Sequence, residues 1–324
     1  MRLAILLIAL TAAAACGGST AARVDPEEPA PRDPGGSPFA DRKGFRPRAF
    51  KVEVSGSGPP VILIPGLGSP GEVWAGTVAH LEDSYECHVL TLAGFAGRAP
   101  IDEPLSAAVR RDLTRYIRSR RMERPIVVGH SMGGFIALWL AASFPENIGP
   151  VIVVDAGPAL SGDLEEAKQL RARWVEASDE EFEIQAKYMY SGMASDPKRL
   201  EAISTLAAHS DRRTIGRAIY EMMITDLTAR MPEIRAPVLF VLADGGLQQR
   251  IRKQVEGVRD KEIVVVPRAR HFVMIDDPKR FFEAVDAFLE AHPPKDPPKD
   301  PPRDPPKAKA PPKANDQAED PDEE

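Results

Sequence analysis

The sequence predicts an α/β domain with a mainly parallel sheet, helices on both faces and a helical cap inserted at about residues 160–232. Three observations predict it. Short apolar β-branched runs alternate with helical stretches between residues 45 and 292. That rhythm stops between residues 160 and 232, where several amphipathic helices but no strand can be read. A glycine-flanked serine, Gly129-His130-Ser131-Met132-Gly133, sits where one apolar run meets a helix.

The strand runs are Val61 to Ile64, His88 to Leu92, Ile126 to Val128, Val151 to Val154, Val238 to Leu242 and Glu262 to Val266. They are short and rich in Val, Ile and Leu, as expected of buried parallel strands. Val109, Leu113 and Ile117, four apart, mark the inner stripe of a helix whose outer face carries many of the arginines of residues 110–124. Phe135 to Ala142 is apolar all round and predicts a helix buried against the sheet. Asp277-Pro278 caps and opens the last helix, Lys279 to Leu289. Strands alternating with helices give a parallel sheet covered on both faces. An insertion before the last two strands lies over the carboxyl edge, where open sheets of this kind bind ligands.

The ends differ in kind from this core. Residues 1–16 read as a signal peptide: Arg2, the apolar Leu3 to Leu10, then Ala12 to Ala15. The apolar run is too short to span a bilayer. Cys16 after three alanines resembles a lipoprotein cleavage box, with Ala13 where Leu is usual, and ordinary cleavage after Ala15 is the alternative. Either route exports the chain, as an envelope lipoprotein or as a periplasmic or secreted protein. Residues 17–44 read as a flexible spacer, and residues 293–324 as a disordered tail built on Pro-Pro-Lys-Asp repeats.

The net charge is −6, and residues 295–324 contribute half of it with 6 Lys or Arg against 9 Asp or Glu. No basic domain remains to favour a nucleic-acid partner. The two cysteines set no disulfide framework, and Cys87 beside a strand run reads as a buried thiol.

The serine carries the chemistry. Glycines on both sides allow the sharp strand-to-helix turn that exposes Ser131 at a helix N-terminus, where the N–H of Met132 faces a developing oxyanion. Pro65-Gly66-Leu67-Gly68 follows the first buried strand and offers the N–H of Leu67 as a second donor. Trp74 beyond it reads either as a pocket wall or as core. A hydroxyl needs a base. Of six histidines, His80 and His88 fall before a strand, His130 is held in the elbow, His209 is in the cap and His292 borders the tail. His271 alone follows the final strand.

Val61 to Gly68, Ala93-Gly94-Phe95-Ala96-Gly97, the elbow, and Arg270-His271-Phe272 through Asp277-Pro278 together resemble the α/β-hydrolase superfamily, and within it bacterial esterase-like members with a helical cap. The resemblance covers residues 50–290. It implies a serine acyl-hydrolase acting on a small-molecule ester through a Ser-His-Asp triad, without metal or organic cofactor. The family's usual acid position falls at Gly246, with Asp244 two residues early; Asp155, directly after the strand that precedes the cap, is the preferred acid and Asp244 the alternative. The cap residues Trp174, Phe182, Tyr188, Met189, Tyr190, Met222 and Met223 read as pocket lining or as the cap's own core. Two other readings stay open: another scissile bond (thioester, amide, lactone or carbon–carbon) on the same triad, and a non-catalytic envelope binding protein.

Overall fold

The structure, a computed structural model, describes residues 45–160 and 162–294. The signal-like segment with Cys16, the spacer and nearly all of the repetitive tail lie outside them.

Seven strands form one sheet: β1 (Phe50–Gly56), β2 (Pro60–Ile64), β3 (Glu86–Leu92), β4 (Ile126–His130), β5 (Val151–Val154), β6 (Val238–Ala243) and β7 (Lys261–Val266). Their order is β1-β3-β2-β4-β5-β6-β7. Every neighbouring pair is parallel except β1 with β3. The six runs read as strands are all present. β1 is the addition. It is a mostly exposed antiparallel edge strand, so it lacks the unbroken apolar run by which the central strands are recognised.

β2, β4 and β5 are buried along their whole length because helices cover both faces. α1 (Ala75–Leu81), α2 (Leu105–Ser119) and α3 (Met132–Ser143) follow β2, β3 and β4. α3 is buried from Met132 to Ala142, in keeping with its all-round apolar sequence. Between β5 and β6 come α4 (Leu164–Glu176), α5 (Asp179–Ser191), α6 (Glu201–Ala207) and α7 (Arg212–Ile224), with short 3-10 turns at Pro197–Leu200 and Thr228–Glu233. These are the cap. Each of its longer helices has a side-chain N-cap: Asp163, Ser178 with a reciprocal capping box to Glu181, and Asp211. α8 (Leu247–Gln254) follows β6, and the short α9 (Val273–Asp276) and α10 (Pro278–Ala291) close the chain. Asp277 caps α10 by accepting the Arg280 N–H at 3.1 Å.

Two side readings resolve here. Trp74 is fully buried in the core. Cys87 is a buried free thiol in β3, and burial pushes its pKa up to about 11.

The topology places the site. From β2 the chain moves outward to β3 and then returns across β2 to β4, so the strand order reverses direction between β2 and β4. The loops leaving these two strands diverge at their carboxyl ends and open a crevice, the position at which open α/β sheets take ligands.

Candidate active site

Ser131 occupies the turn from β4 into α3 with φ 53° and ψ −120°. A side chain with Cβ tolerates this region only at a cost of ~1–3 kcal/mol, so the surrounding structure must impose it. The imposing contacts are backbone ones. The Ser131 N–H bonds the Val154 carbonyl of β5 at 2.9 Å, and the Phe135 N–H bonds the Ser131 carbonyl at 3.0 Å. The elbow also needs room: a Cβ on Gly133 would lie 2.1 Å from the Ile64 carbonyl oxygen. Met132 is the first residue of α3, so its N–H has no acceptor within the helix and points with the positive end of the helix dipole.

The loop after β2 comes against this elbow. A Cβ on Gly66 would meet His130 Nδ1 at 2.9 Å and the Ser131 Cβ at 3.2 Å. Gly66, Leu67, Ser131, Asp155 and His271 line one cleft of about 800 Å3.

His271 stands in the loop between β7 and α9, with its Nδ1 2.7 Å from Asp155 Oδ2. This contact requires the Nδ1–H tautomer, which leaves Nε2 as the basic nitrogen. Asp155 is 5% exposed and follows β5 with φ 45°, a left-handed conformation that aspartate tolerates better than most residues. The end of the neighbouring strand anchors it: its Oδ1 accepts the Ala243 N–H at 3.0 Å, and its own N–H bonds the Val241 carbonyl at 2.9 Å. Asp244 also lines the cleft but is exposed, and among the described residues its carboxylate accepts the Arg268 N–H at 3.4 Å. Of the two candidate acids, Asp155 is the one brought to the histidine.

A second imidazole lies behind the first. His130 is 1% exposed, with its ring centroid 4.6 Å from that of His271 and 4.6 Å from Phe272. Burial, reinforced by the nearby His271 charge, holds its pKa well below the ordinary imidazole value, so the ring is neutral. Its Nε2–H donates to the His271 carbonyl at 2.9 Å. The residue between glycine and serine in the elbow thus holds the loop that carries His271. The other histidines lie elsewhere: His80 stacks on Phe282, and His88 sits inside β3 rather than before it, bonded through Nδ1 to the Tyr116 hydroxyl at 2.9 Å.

The far wall of the cleft is the cap. Trp174, Tyr188, Met189, Tyr190, Met222 and Met223 all line it. Phe182 does not; it packs edge-on against Trp174 with ring centroids 5.6 Å apart. The two readings of these residues are therefore both realised, lining for six and cap core for the seventh.

Sequence reasoning passed over Asp276. Its carboxylate accepts the Arg270 N–H at 2.7 Å, the Ser195 N–H at 2.9 Å and the Ser195 hydroxyl at 2.8 Å, tying the His271 loop to the cap. The only signal was its place in the run around His271.

A parallel sheet reversing direction at β2/β4, a strained serine at that point and a carboxylate-oriented histidine after the last strand define the hydrolase class built on doubly wound α/β sheets. The chain belongs to the α/β hydrolase family, whose model matches residues 61–284. It is 25% identical over 252 residues to a pimeloyl-[acyl-carrier protein] methyl ester esterase of Pectobacterium carotovorum, a match covering 71% of this chain and 94% of the relative. Among solved structures it resembles a thermophilic esterase from Thermogutta terrifontis, with TM-score 0.67 and 22% identity over 75% of this chain and 94% of that one. It also resembles the enol-lactonase from Burkholderia xenovorans LB400, with TM-score 0.65 and 19% identity over 74% and 96% of the two chains. The chain is a hydrolase of this family.

Proposed function

We propose that this hydrolase is a serine esterase that cleaves a small carboxylic ester through an acyl-enzyme. The observation that carries the reading is the 2.7 Å bond from His271 to the buried Asp155, made in the same cleft that the strained Ser131 lines.

Ser131 attacks the ester carbonyl as its hydroxyl proton passes to His271 Nε2. Asp155 keeps the imidazole in the tautomer that can take this proton and stabilises the imidazolium formed. The tetrahedral oxyanion is held by the N–H groups of Leu67 and Met132, preorganised where the negative charge develops. His271 then protonates the leaving alcohol. In the second half-reaction it takes a proton from water as the water attacks the acyl carbonyl, and returns that proton to Ser131 Oγ as the acid leaves.

An ester is favoured over the other acyl bonds because the relative from Pectobacterium carries a methyl ester esterase name and the cleft walls are largely apolar. Trp174, Met189, Met222 and Met223 offer soft, adaptable surface to an acyl chain or small aromatic group. Export by the N-terminal segment, with Cys16 as lipid anchor, belongs to the same proposal: an envelope esterase meeting small esters outside the cytoplasm.

The test is covalent labelling of the purified full-length chain with a fluorophosphonate, beside Ser131→Ala and His271→Ala. The expected result is labelling of wild type alone. A folded wild-type protein that stays unlabelled overturns the esterase and leaves a binding protein on a hydrolase fold.

A further inference from the structure

The cap does more than wall the cleft. The last turn of its helix α5 carries Tyr190, which is 1% exposed and whose hydroxyl reaches into the loop after β2. That hydroxyl donates to the Leu67 carbonyl oxygen at 2.9 Å. It also bonds Ser69 Oγ at 3.0 Å, and with the phenol proton committed to Leu67 the serine is the donor. Burial raises the Tyr190 pKa far above the ordinary phenol range, which keeps the hydroxyl a donor at any working pH.

A second cap residue touches the next peptide of the same loop. The Ser210 hydroxyl donates to the Gly68 carbonyl at 3.3 Å and accepts the Ala96 N–H at 3.0 Å. Gly68 has φ +70°, a left-handed conformation that glycine adopts without steric cost. The carbonyls of Leu67 and Gly68 are therefore both held by cap hydroxyls, while the turn is closed on itself only by the Ser69 N–H bonding the Gly66 carbonyl at 3.1 Å.

The same stretch of cap also meets the other half of the site. The Met193 carbonyl accepts the Phe272 N–H at 3.2 Å, next to His271 in the chain. Ser195 bonds Asp276. Residues 190–195 thus bridge the loop carrying the proposed oxyanion donor and the loop carrying the proposed base.

We infer that Tyr190 is a positioning residue for oxyanion stabilisation: through the Leu67 carbonyl and Ser69 it sets the direction of the Leu67 N–H, with Ser210 supporting it at Gly68. This rests on the esterase reading. A hydrogen-bond donor misdirected by a few tenths of an ångström loses transition-state stabilisation while ground-state binding is little changed, so the signature is a loss in kcat rather than KM.

Tyr190→Phe removes one oxygen and keeps the ring against Phe272, whose centroid is 5.7 Å away. On the full-length protein with a p-nitrophenyl ester, kcat should fall about 10- to 100-fold with KM within about twofold, less than the ~10²–10³-fold expected for deleting an oxyanion donor outright. The Ki of an alkyl boronate should rise by the same factor as kcat falls, while the Ki of the product acid stays constant. Loosening of the cap alone would instead raise KM and the product Ki together.

A folded Tyr190→Phe protein with kcat unchanged, or with KM and product Ki raised in step, overturns the inference. If that variant does not fold, Ser210→Ala carries the same test at Gly68, and an unchanged kcat there overturns it equally. A folded wild type that neither hydrolyses the ester nor labels with fluorophosphonate overturns the esterase reading itself and this inference with it; a reactive wild type separates the two failures.

Discussion

The strand-end platform and the cap build the same cleft by different means. On the platform the geometry is made by backbone: the forced φ of Ser131, the Ser131 and Asp155 N–H groups spent on β5 and β6, and a glycine at 133 that lets the elbow touch β2. On the cap, side-chain bonds join a few backbone ones. Tyr190, Ser195, Ser210 and Glu221 reach across to loops and helix ends of the platform. In the landing loop Gly94 to Gly97, the Gly97 N–H donates to the His209 carbonyl at 3.1 Å and the Gly94 carbonyl accepts the Asp211 N–H at 2.7 Å. The difference teaches that the platform sets what chemistry is available and the cap sets how it is aligned and what reaches it. A backbone scaffold tolerates little change; a side-chain clasp can be altered one bond at a time.

The sharpest way to break this division is at the acid. Asp155→Asn should lower kcat by about 10³–10⁴-fold, because the amide favours the wrong imidazole tautomer, while Asp244→Asn should stay within about threefold. Comparable losses in both variants, measured by ester hydrolysis, would mean that the exposed Asp244 shares the role.

Next in size is a platform glycine. Gly133→Ala forces a methyl group to 2.1 Å from the Ile64 carbonyl, and since both sides of the contact are backbone it should cost ~3 kcal/mol of stability or prevent folding. Gly76→Ala, in α1 with nothing within 4 Å of the added carbon, should be neutral or slightly stabilising. Chemical unfolding of the pair gives the comparison.

A smaller effect is expected on the cap wall. Trp174→Ala should change KM by about tenfold and shift the preferred acyl length toward longer chains, with kcat for the best ester little altered. A series of p-nitrophenyl esters measures this, and a collapse of kcat for every chain length would place Trp174 in the platform's category instead.

The smallest concerns the clasp at Glu221. Its carboxylate in α7 accepts the Ser106 and Ala107 N–H groups at the start of α2, at 2.8 and 3.0 Å. Burial raises its pKa above the ordinary 4.5, outweighing the two backbone bonds that lower it. The folded protein therefore binds this proton more tightly than the unfolded chain. Stability must decline as pH rises from about 4.5 through the raised value. The melting temperature of wild type relative to Glu221→Gln should fall over that window; a flat difference would mean the carboxylate is fully compensated by its two donors.

Much of this was legible beforehand because it is local. A buried strand is a run of Val, Ile and Leu, an elbow is five consecutive residues, and His271 is recognised by following the last such run. β1 escaped because an edge strand half in water has no run to recognise. His88 shows the same limit: the strand begins at Glu86, two residues before the apolar run, so a histidine at the start of the run is in fact inside the strand.

What the sequence by itself determined is the mainly parallel α/β architecture, the cap's place between β5 and β6, and the placement of Ser131 at a strand-to-helix turn and of His271 after the last strand, since each follows from periodicity or from neighbours along the chain. What only the tertiary structure decided is which carboxylate meets His271 across 116 residues, that His130 holds the loop of His271, and that Tyr190 holds the loop of Leu67 across 123. These are contacts between side chains brought together by sheet order and cap docking. Their directions depend on backbone angles summed over the whole fold, which no local pattern records.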